Sequence, residues 1–417
     1  MNSVQQQPLL NTHVQAMSPM VRPQSAMAHR ALLPCPEGMT FPEALEKYRE
    51  EAKKTTDPAF QLDFCLFMMD AVKRVADDPQ SLGLDFTNQG EDREDEPVVL
   101  ARKLEMIAAL DREIVKWLKK VGGARAHPEA LFLLGEAYGK GKWAVDVDHA
   151  KAFALYMQAA KANHPVASYR VAVCHEVGAG TKKDVRRAVQ FYRKAAALGH
   201  TLAMHKVGMI FIYGLLGHQK NLKEGISWLK RAAANATAEH PEALHDLAQC
   251  YEKTGGCPVV IPDERYAFDL YSQAANFGYA PSQYRLGTFY EFGIYGCPVD
   301  PAQSIKWYSK AAESGYPDAE LALSGWYLSG AEGYLRQNDN NAYLWARKAA
   351  DRGHARAEFA VGHYFEVGIG VPADREEARQ WYEKSAAKQY KRAIQKLAEM
   401  KRGDKTKSGK KTGCVIQ

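Results

Sequence analysis

The residues with the most definite chemistry are the last four of the sequence, Cys414-Val415-Ile416-Gln417. A cysteine, two aliphatic residues and a final Gln form a C-a-a-X box, the acceptor pattern for a thioether-linked prenyl chain, with Gln favouring farnesyl. Upstream lie Lys401, Arg402, Lys405, Lys407, Lys410 and Lys411 against one acid, Asp404. A single lipid chain holds a bilayer only marginally, and each Lys or Arg near an anionic leaflet adds about 1 kcal/mol. Together the two signals predict peripheral attachment to an anionic membrane surface, with a prenyltransferase as a partner. No cofactor other than this covalent prenyl group on Cys414 is expected.

Other reactive residue types form weaker patterns. His127, His164, His200, His240 and His354 recur about one repeat apart, whereas a metal needs ligands that converge. They read as framework, and no metal site is expected. The seven cysteines include no CxxC pair, which argues against a zinc ribbon or a disulfide framework and for a reducing compartment. Cys257 and Cys297 are each followed by Pro-Val, and a bridge between them is not expected there. The Gly178-Ala179-Gly180 and Gly368-Ile369-Gly370 segments lack the preceding strand and third glycine of a phosphate loop. Glu376-Glu377 falls on a helix surface, and no Ser/His/Asp constellation stands out, so a non-catalytic protein is expected. The net charge of +6 is small for 417 residues and makes no case for nucleic acid. No apolar run reaches the roughly 20 residues of a membrane helix, and the start shows no secretion signal pattern.

The elements that carry these residues follow a period. The small residues Ala130, Ala167, Ala203, Ala243, Ser282, Ala319, Ala357 and Ala393 recur every 36 to 40 positions, the signature of a stacked array. Each repeat reads as two helices. Ala130/Leu134/Tyr138 and Ala357/Val361/Phe365 mark one face of the first, at i, i+4, i+8. Ala188, Phe191, Tyr192, Ala195 and Ala196 mark the second, and Ser304/Trp307/Tyr308/Ala311/Ala312 copies it. Gly199, Gly278, Gly315 and Gly353 follow the second helix as left-handed caps. Asp184, Asp263, Asp300 and Asp374 precede it as N-caps, and Pro128, Pro165, Pro241 and Pro317 suit a first helical turn.

This pattern, A-x-x-x-L-G-x-x-Y, a Gly-rich loop, then D-x-x-x-A-x-x-W/F-Y-x-K-A-A-x-x-G-H, resembles the Sel1-like repeats, relatives of the tetratricopeptide repeats. The resemblance implies an all-α, right-handed superhelical solenoid that binds proteins. The chain divides into a disordered segment (1–38), a helical block of degenerate capping repeats (39–126), the Sel1-like array (127–400) and a basic tail with the C-a-a-X box (401–417). Within the block, helices are expected from Phe41, where Ala44, Leu45 and Tyr48 share a face, over 60–75 and over 99–121. The acidic run Glu91-Asp92-Arg93-Glu94-Asp95-Glu96 reads as a solvated loop. Partner contacts are expected from the irregular loops 214–221, 255–262 and 331–340, with Leu215, Leu216, Tyr334, Leu335 and Arg336 as candidates.

Tyr169-Arg170-Val171-Ala172-Val173-Cys174, Ala319-Glu320-Leu321-Ala322-Leu323-Ser324-Gly325-Trp326-Tyr327-Leu328 and Ala342-Tyr343-Leu344-Trp345-Ala346-Arg347-Lys348-Ala349-Ala350 go further. With Ala52-Lys53-Lys54-Thr55-Thr56-Asp57-Pro58, they resemble the fungal activators of chitin synthase. That resemblance implies a scaffold that activates and targets a chitin synthase catalytic subunit for cell-wall or septum synthesis, with septin-linked scaffold proteins as further partners. The implied place is the cytoplasmic face of the plasma membrane or secretory vesicles, at the septum, bud neck or growing tip. The alternative is another prenylated peripheral-membrane adaptor, serving signalling or ubiquitin-ligase-linked degradation.

Overall fold

Apolar spacing and capping chemistry divide the chain into short helices of near-uniform length. The computed structural model describes residues 33–36, 38–77, 96–125, 127–253 and 257–411, and for 96–99, 124–125 and 403–411 the backbone alone. Residues 1–32, the acidic residues 91–95, Gly255 and the whole of the Cys414 box lie outside it. Among the described residues there are eighteen helices, and the sole extended pairing is the bridge of Ala331 to Leu335. Contacts group the chain into two compact units, 1–207 and 208–417.

The first unit opens with α1 (Phe41–Lys54), α2 (Pro58–Asp77) and α3 (Glu96–Arg125). Phe41, Ala44, Leu45 and Tyr48 form the buried face of α1, as their spacing predicts. Phe41 and Tyr48 both pack on Phe67 of α2, and Phe64 meets Trp117 of α3 edge-on at 5.7 Å. Arg49 grips Glu113 with two contacts of 2.8 Å, a fork that ties α1 to α3. Leu131 of α4 (Pro128–Lys140) lies against Gly122 of α3, where a β-carbon would come within 3.2 Å of it.

From α4 onward first and second helices alternate. The first unit holds α4 with α5 (His149–Lys161), α6 (Pro165–Val177) with α7 (Val185–Ala197), and the start of α8 (Thr201–Tyr213). The second unit holds α9 (Leu222–Ala234), α10 (Glu242–Tyr251) with α11 (Glu264–Asn276), and α12 (Ala280–Phe292) with α13 (Pro301–Glu313). It continues with α14 (Pro317–Ser329) and α15 (Asp339–Asp351), α16 (Ala355–Val367) and α17 (Arg375–Ala387), then α18 (Lys391–Lys411). The α18 backbone stays helical through the basic run at 401–411, so those residues extend the last helix.

The caps are regular. Asp148, Asp184, Asn221, Asp263, Asp300, Asn338 and Asp374 each accept an amide of the first turn of a second helix, typically worth about 1 kcal/mol. Gly199, Gly278, Gly315 and Gly353 follow the second helices with φ of 94°, 90°, 73° and 82°. Pro128, Pro165 and Pro317 stand first in their helices, whereas Pro241 is the N-cap of α10, one position earlier than its counterparts.

The core between paired helices is a ring laid on bare backbone. Tyr192, Tyr271, Tyr308 and Tyr382 of the second helices are fully buried. A β-carbon added to Gly287 would stand 2.5 Å from the Tyr308 ring, and one on Gly362 2.8 Å from the Tyr382 ring. In the α8/α9 pair Leu229 replaces the ring and two glycines meet instead: a β-carbon on Gly225 would lie 2.9 Å from the Gly208 carbonyl oxygen.

Candidate partner-binding edge

The Tyr rings carry their hydroxyls to the end of each hairpin where the first helix passes into the second. There a carboxylate meets them. Tyr156 donates to Glu136 at 2.8 Å, Tyr192 to Glu176 at 2.5 Å, Tyr271 to Glu252 at 2.5 Å, Tyr308 to Glu291 at 2.6 Å and Tyr382 to Glu366 at 2.8 Å. The next first helix then supplies a cation. Arg170 pairs with Glu136, Lys206 with Glu176, Arg285 with Glu252 and Lys396 with Glu366. Each of these cations is the sixth residue of its helix. Burial alone pushes the tyrosine hydroxyls up in pKa, and the adjacent carboxylates push further in the same direction. Burial also presses the Glu136 and Glu366 carboxyls upward, but hydrogen bonds from Lys140 and Tyr156, and from Lys396 and Tyr382, outweigh it and hold both below the ordinary range.

The same end of the hairpins exposes apolar side chains. In the second unit Tyr213, Phe292 and Val367 are the last residues of α8, α12 and α16, and all are exposed. The loops that follow add Leu215, Val259, Ile261 (87% exposed), Ile294, Val299 and Tyr334 (70% exposed). Three first helices thus end on an exposed apolar side chain at this end of their hairpins, and exposed apolar surface of this kind marks interaction sites. A cleft of about 590 Å³ opens on this edge, lined by Glu252, Lys253, Glu264, Arg285, Ile294 and Tyr295. Tyr295 holds φ 60° and stacks on Phe289 at 4.4 Å, so this wall is a packed ring.

Of the loop residues singled out from sequence, Leu215 is exposed, and Leu216 turns inward, half-buried at φ 53°. Tyr334 stands at the tip of a small hairpin closed by two backbone bonds between Ala331 and Leu335, of 2.8 and 2.9 Å. Leu335 is half-buried beneath it and Arg336 is exposed. Of the basic residues, Lys401 and Arg402 are exposed, while Lys405, Lys407, Lys410 and Lys411 are placed by backbone only, along α18. Ile261, 87% exposed, lies in the loop 255–262 singled out from sequence, whereas Phe292, Val299 and the tyrosine–glutamate rungs are additions that sequence reading missed.

Two of the repeat-start histidines, His164 and His200, cap and stack, whereas His127 and His354 make no side-chain cap and His354 pairs with Asp318 at 3.2 Å. His164 Nδ1 accepts the Ala167 amide at 3.0 Å, its ring lies 4.9 Å from Phe132, and its Nε2 meets Glu129 at 2.8 Å. His200 accepts the Ala203 amide and stacks on Tyr169. Among the described residues no three His, Cys, Asp or Glu side chains group as metal ligands, and no helix is long and apolar enough to cross a membrane. The glycines of the G-x-G segments have a packing cause: β-carbons on Gly180 and Gly370 would strike the backbone carbonyls of His149 and Asp339.

Comparison with known proteins gives this edge a context. The Sel1 repeat family matches seven times, at 128–164, 165–200, 201–236, 241–279, 280–316, 317–354 and 355–390. Chitin synthase regulatory factor 3 of Schizosaccharomyces pombe is 45% identical over 272 residues, 65% of this chain and 29% of that protein. The chitin synthase regulator SKT5 of Saccharomyces cerevisiae is 35% identical over 359 residues, 85% of this chain and 49% of that protein. The chain therefore spans less than half the length of these two regulators. A protective antigen of uropathogenic Escherichia coli with an SLR fold superposes with a TM-score of 0.59 at 22% identity, over 85% of this chain and 82% of that one; this likeness concerns the fold alone. The chain belongs to the Sel1 repeat family and is similar in sequence to the two fungal regulators just described.

Proposed function

We propose that this chain is a non-catalytic regulatory scaffold that binds a chitin synthase, raises its activity and holds it at a membrane. The observation that carries the reading is the 45% identity, over 272 residues, to a protein named as a chitin synthase regulatory factor. The row of exposed apolar residues in the second unit supplies a surface suited to such a client. Attachment comes from a prenyl group, farnesyl by its terminal Gln, on Cys414, assisted by the basic residues of α18. One lipid and one basic patch together reach the two-signal threshold for stable anchoring. The client sits at the cytoplasmic face of the plasma membrane or of secretory vesicles, at sites of septum or tip growth.

The test is removal of the gene in its host, with chitin content and synthase activity measured, alongside affinity capture by wild type and Cys414→Ser. A chitin synthase recovered with both forms, membrane association lost only in Cys414→Ser, and reduced chitin on removal are the expected results. Unchanged chitin together with capture of ubiquitin-ligase or kinase components and no synthase would overturn the reading in favour of a different adaptor.

A further inference from the structure

One rung on the hairpin edge of the second unit lacks its cation. Tyr308 donates to Glu291 at 2.6 Å, with the Thr288 hydroxyl 3.1 Å away, the same carboxylate-and-hydroxyl pair that holds Arg285 at Glu252 and Lys396 at Glu366. The sixth residue of the next first helix, which supplies the cation at those rungs, is here Ala322. Among the described residues no other cation pairs with Glu291. The following first helix repeats the change with Ala360. Beside the open carboxylate Phe292 is 63% exposed, and Ile294 is exposed in the same loop. Two alanines thus lower the wall of the edge next to a half-buried acid and an apolar ledge.

We infer that this rung is a docking position for the client, and that the occupant is a protein segment carrying a Lys or Arg beside an apolar side chain. The cation takes the place that Arg285 and Lys396 take at their own rungs, and the apolar neighbour covers Phe292. Charge complementarity, measured against the copies inside one molecule, selects this occupant. The geometry that holds a cation elsewhere is built here and left for another chain. The inference rests on the scaffold reading proposed above, which supplies the client.

The experiment is capture of chitin synthase from the host by the full chain, as wild type, Ala322→Arg and Glu291→Gln, with thermal unfolding of each. Ala322→Arg should fill the rung from within, leave the melting temperature unchanged or higher, and weaken capture at least about tenfold, as expected for loss of a close charge pair at an interface. Glu291→Gln keeps an acceptor for Tyr308 and should weaken capture similarly while remaining folded. If Ala322→Arg and Glu291→Gln capture synthase as wild type does, the docking position is overturned and the scaffold reading stands. If wild type captures no synthase, both fall. A wild-type dimer in solution that Ala322→Arg dissociates would assign the rung to a second copy, and capture that improves when residues 1–32 are removed would assign it to the chain's own segment. Either result overturns the client as occupant.

Discussion

Gly370 offers the sharpest test of how these hairpins stack. It has φ 67°, and a β-carbon there would lie 2.2 Å from the carbonyl oxygen and 2.7 Å from the carbonyl carbon of Asp339, with Tyr343 Cβ at 3.0 Å. Asp339 is the first residue of α15, so the obstacle is helical backbone and no rotamer change relieves it. The left-handed conformation alone costs a non-glycine residue about 1–2 kcal/mol. Forced overlap in a packed site adds about 1–3 kcal/mol. Gly370→Ala should therefore destabilise by the sum of the two. Gly296→Ala is the control: its φ is 76°, yet nothing lies within 4 Å of the added carbon, so it meets only the conformational cost. Urea unfolding followed by circular dichroism compares them. Because an array does not unfold as one unit, amide exchange at the start of α15 should be read as well. The midpoint should fall further for Gly370→Ala, with faster exchange around Asn341 and Ala342. Equal midpoints for the two variants would refute the close-approach argument. Gly180→Ala, whose β-carbon would lie 1.9 Å from the His149 carbonyl oxygen, should repeat the result in the first unit.

Three further outcomes follow from the same geometry. With their pKa held low in the folded state, Glu136 and Glu366 contribute stability that is full above the ordinary carboxylate range and is lost as pH falls through their depressed values. Burial lowers the His245 pKa, so its contribution begins to fade earlier, below its unfolded value of about 6.5; the urea midpoint should fall steadily as the pH is lowered from neutral into the acid range, and a midpoint that rises on acidification would contradict the assignment. Arg285→Ala leaves Glu252, whose side chain is 15% exposed, with the Tyr271 hydroxyl as donor and no cation, and should cost about 1.5–3 kcal/mol in the same assay, the range for a lost hydrogen bond to a charged group. Ile261→Asp and Phe292→Asp alter exposed positions, so stability should stay within about 0.5 kcal/mol while client capture drops; undiminished capture would remove the apolar edge from consideration.

The sequence exposes the framework because its determinants are local. Asp184 and Asp300 cap the turns they precede, Gly199 and Gly315 end the helices they follow, and Ala188 through Ala196 repeat at helical spacing, so the hairpins and their order are legible within a few residues. The edge is less legible because its partners are distant. Tyr308 and Glu291 stand 17 residues apart and meet only when the two helices of their hairpin fold together, and Arg285 and Glu252, 33 apart, meet only once two hairpins are stacked. Phe292 illustrates another limit: residue type alone does not mark it as exposed, and its place at the end of α12, before the left-handed turn at Gly293, is what leaves it facing outward. The role of Gly370 was hidden likewise, because the carbonyl it must avoid belongs to the preceding hairpin.

Departures from the repeat are not all alike, and their compensation separates them. Ala346 replaces the buried ring that Tyr308 and Tyr382 supply in the neighbouring hairpins, and the vacancy is rebuilt. Ser324 bonds the Ala342 carbonyl and the Tyr364 hydroxyl, each at 2.7 Å, so a ring from α16 serves where α15 has none. That change preserves packing by another route and needs no partner. The loss of the cation at Ala322 has no such repair: Glu291 keeps its hydroxyl donor and gains no second basic neighbour among the described residues. A fold under selection for stability alone would restore the cation or remove the acid. Retaining the carboxylate, with an exposed phenylalanine beside it, is the arrangement expected when the missing charge arrives with the client.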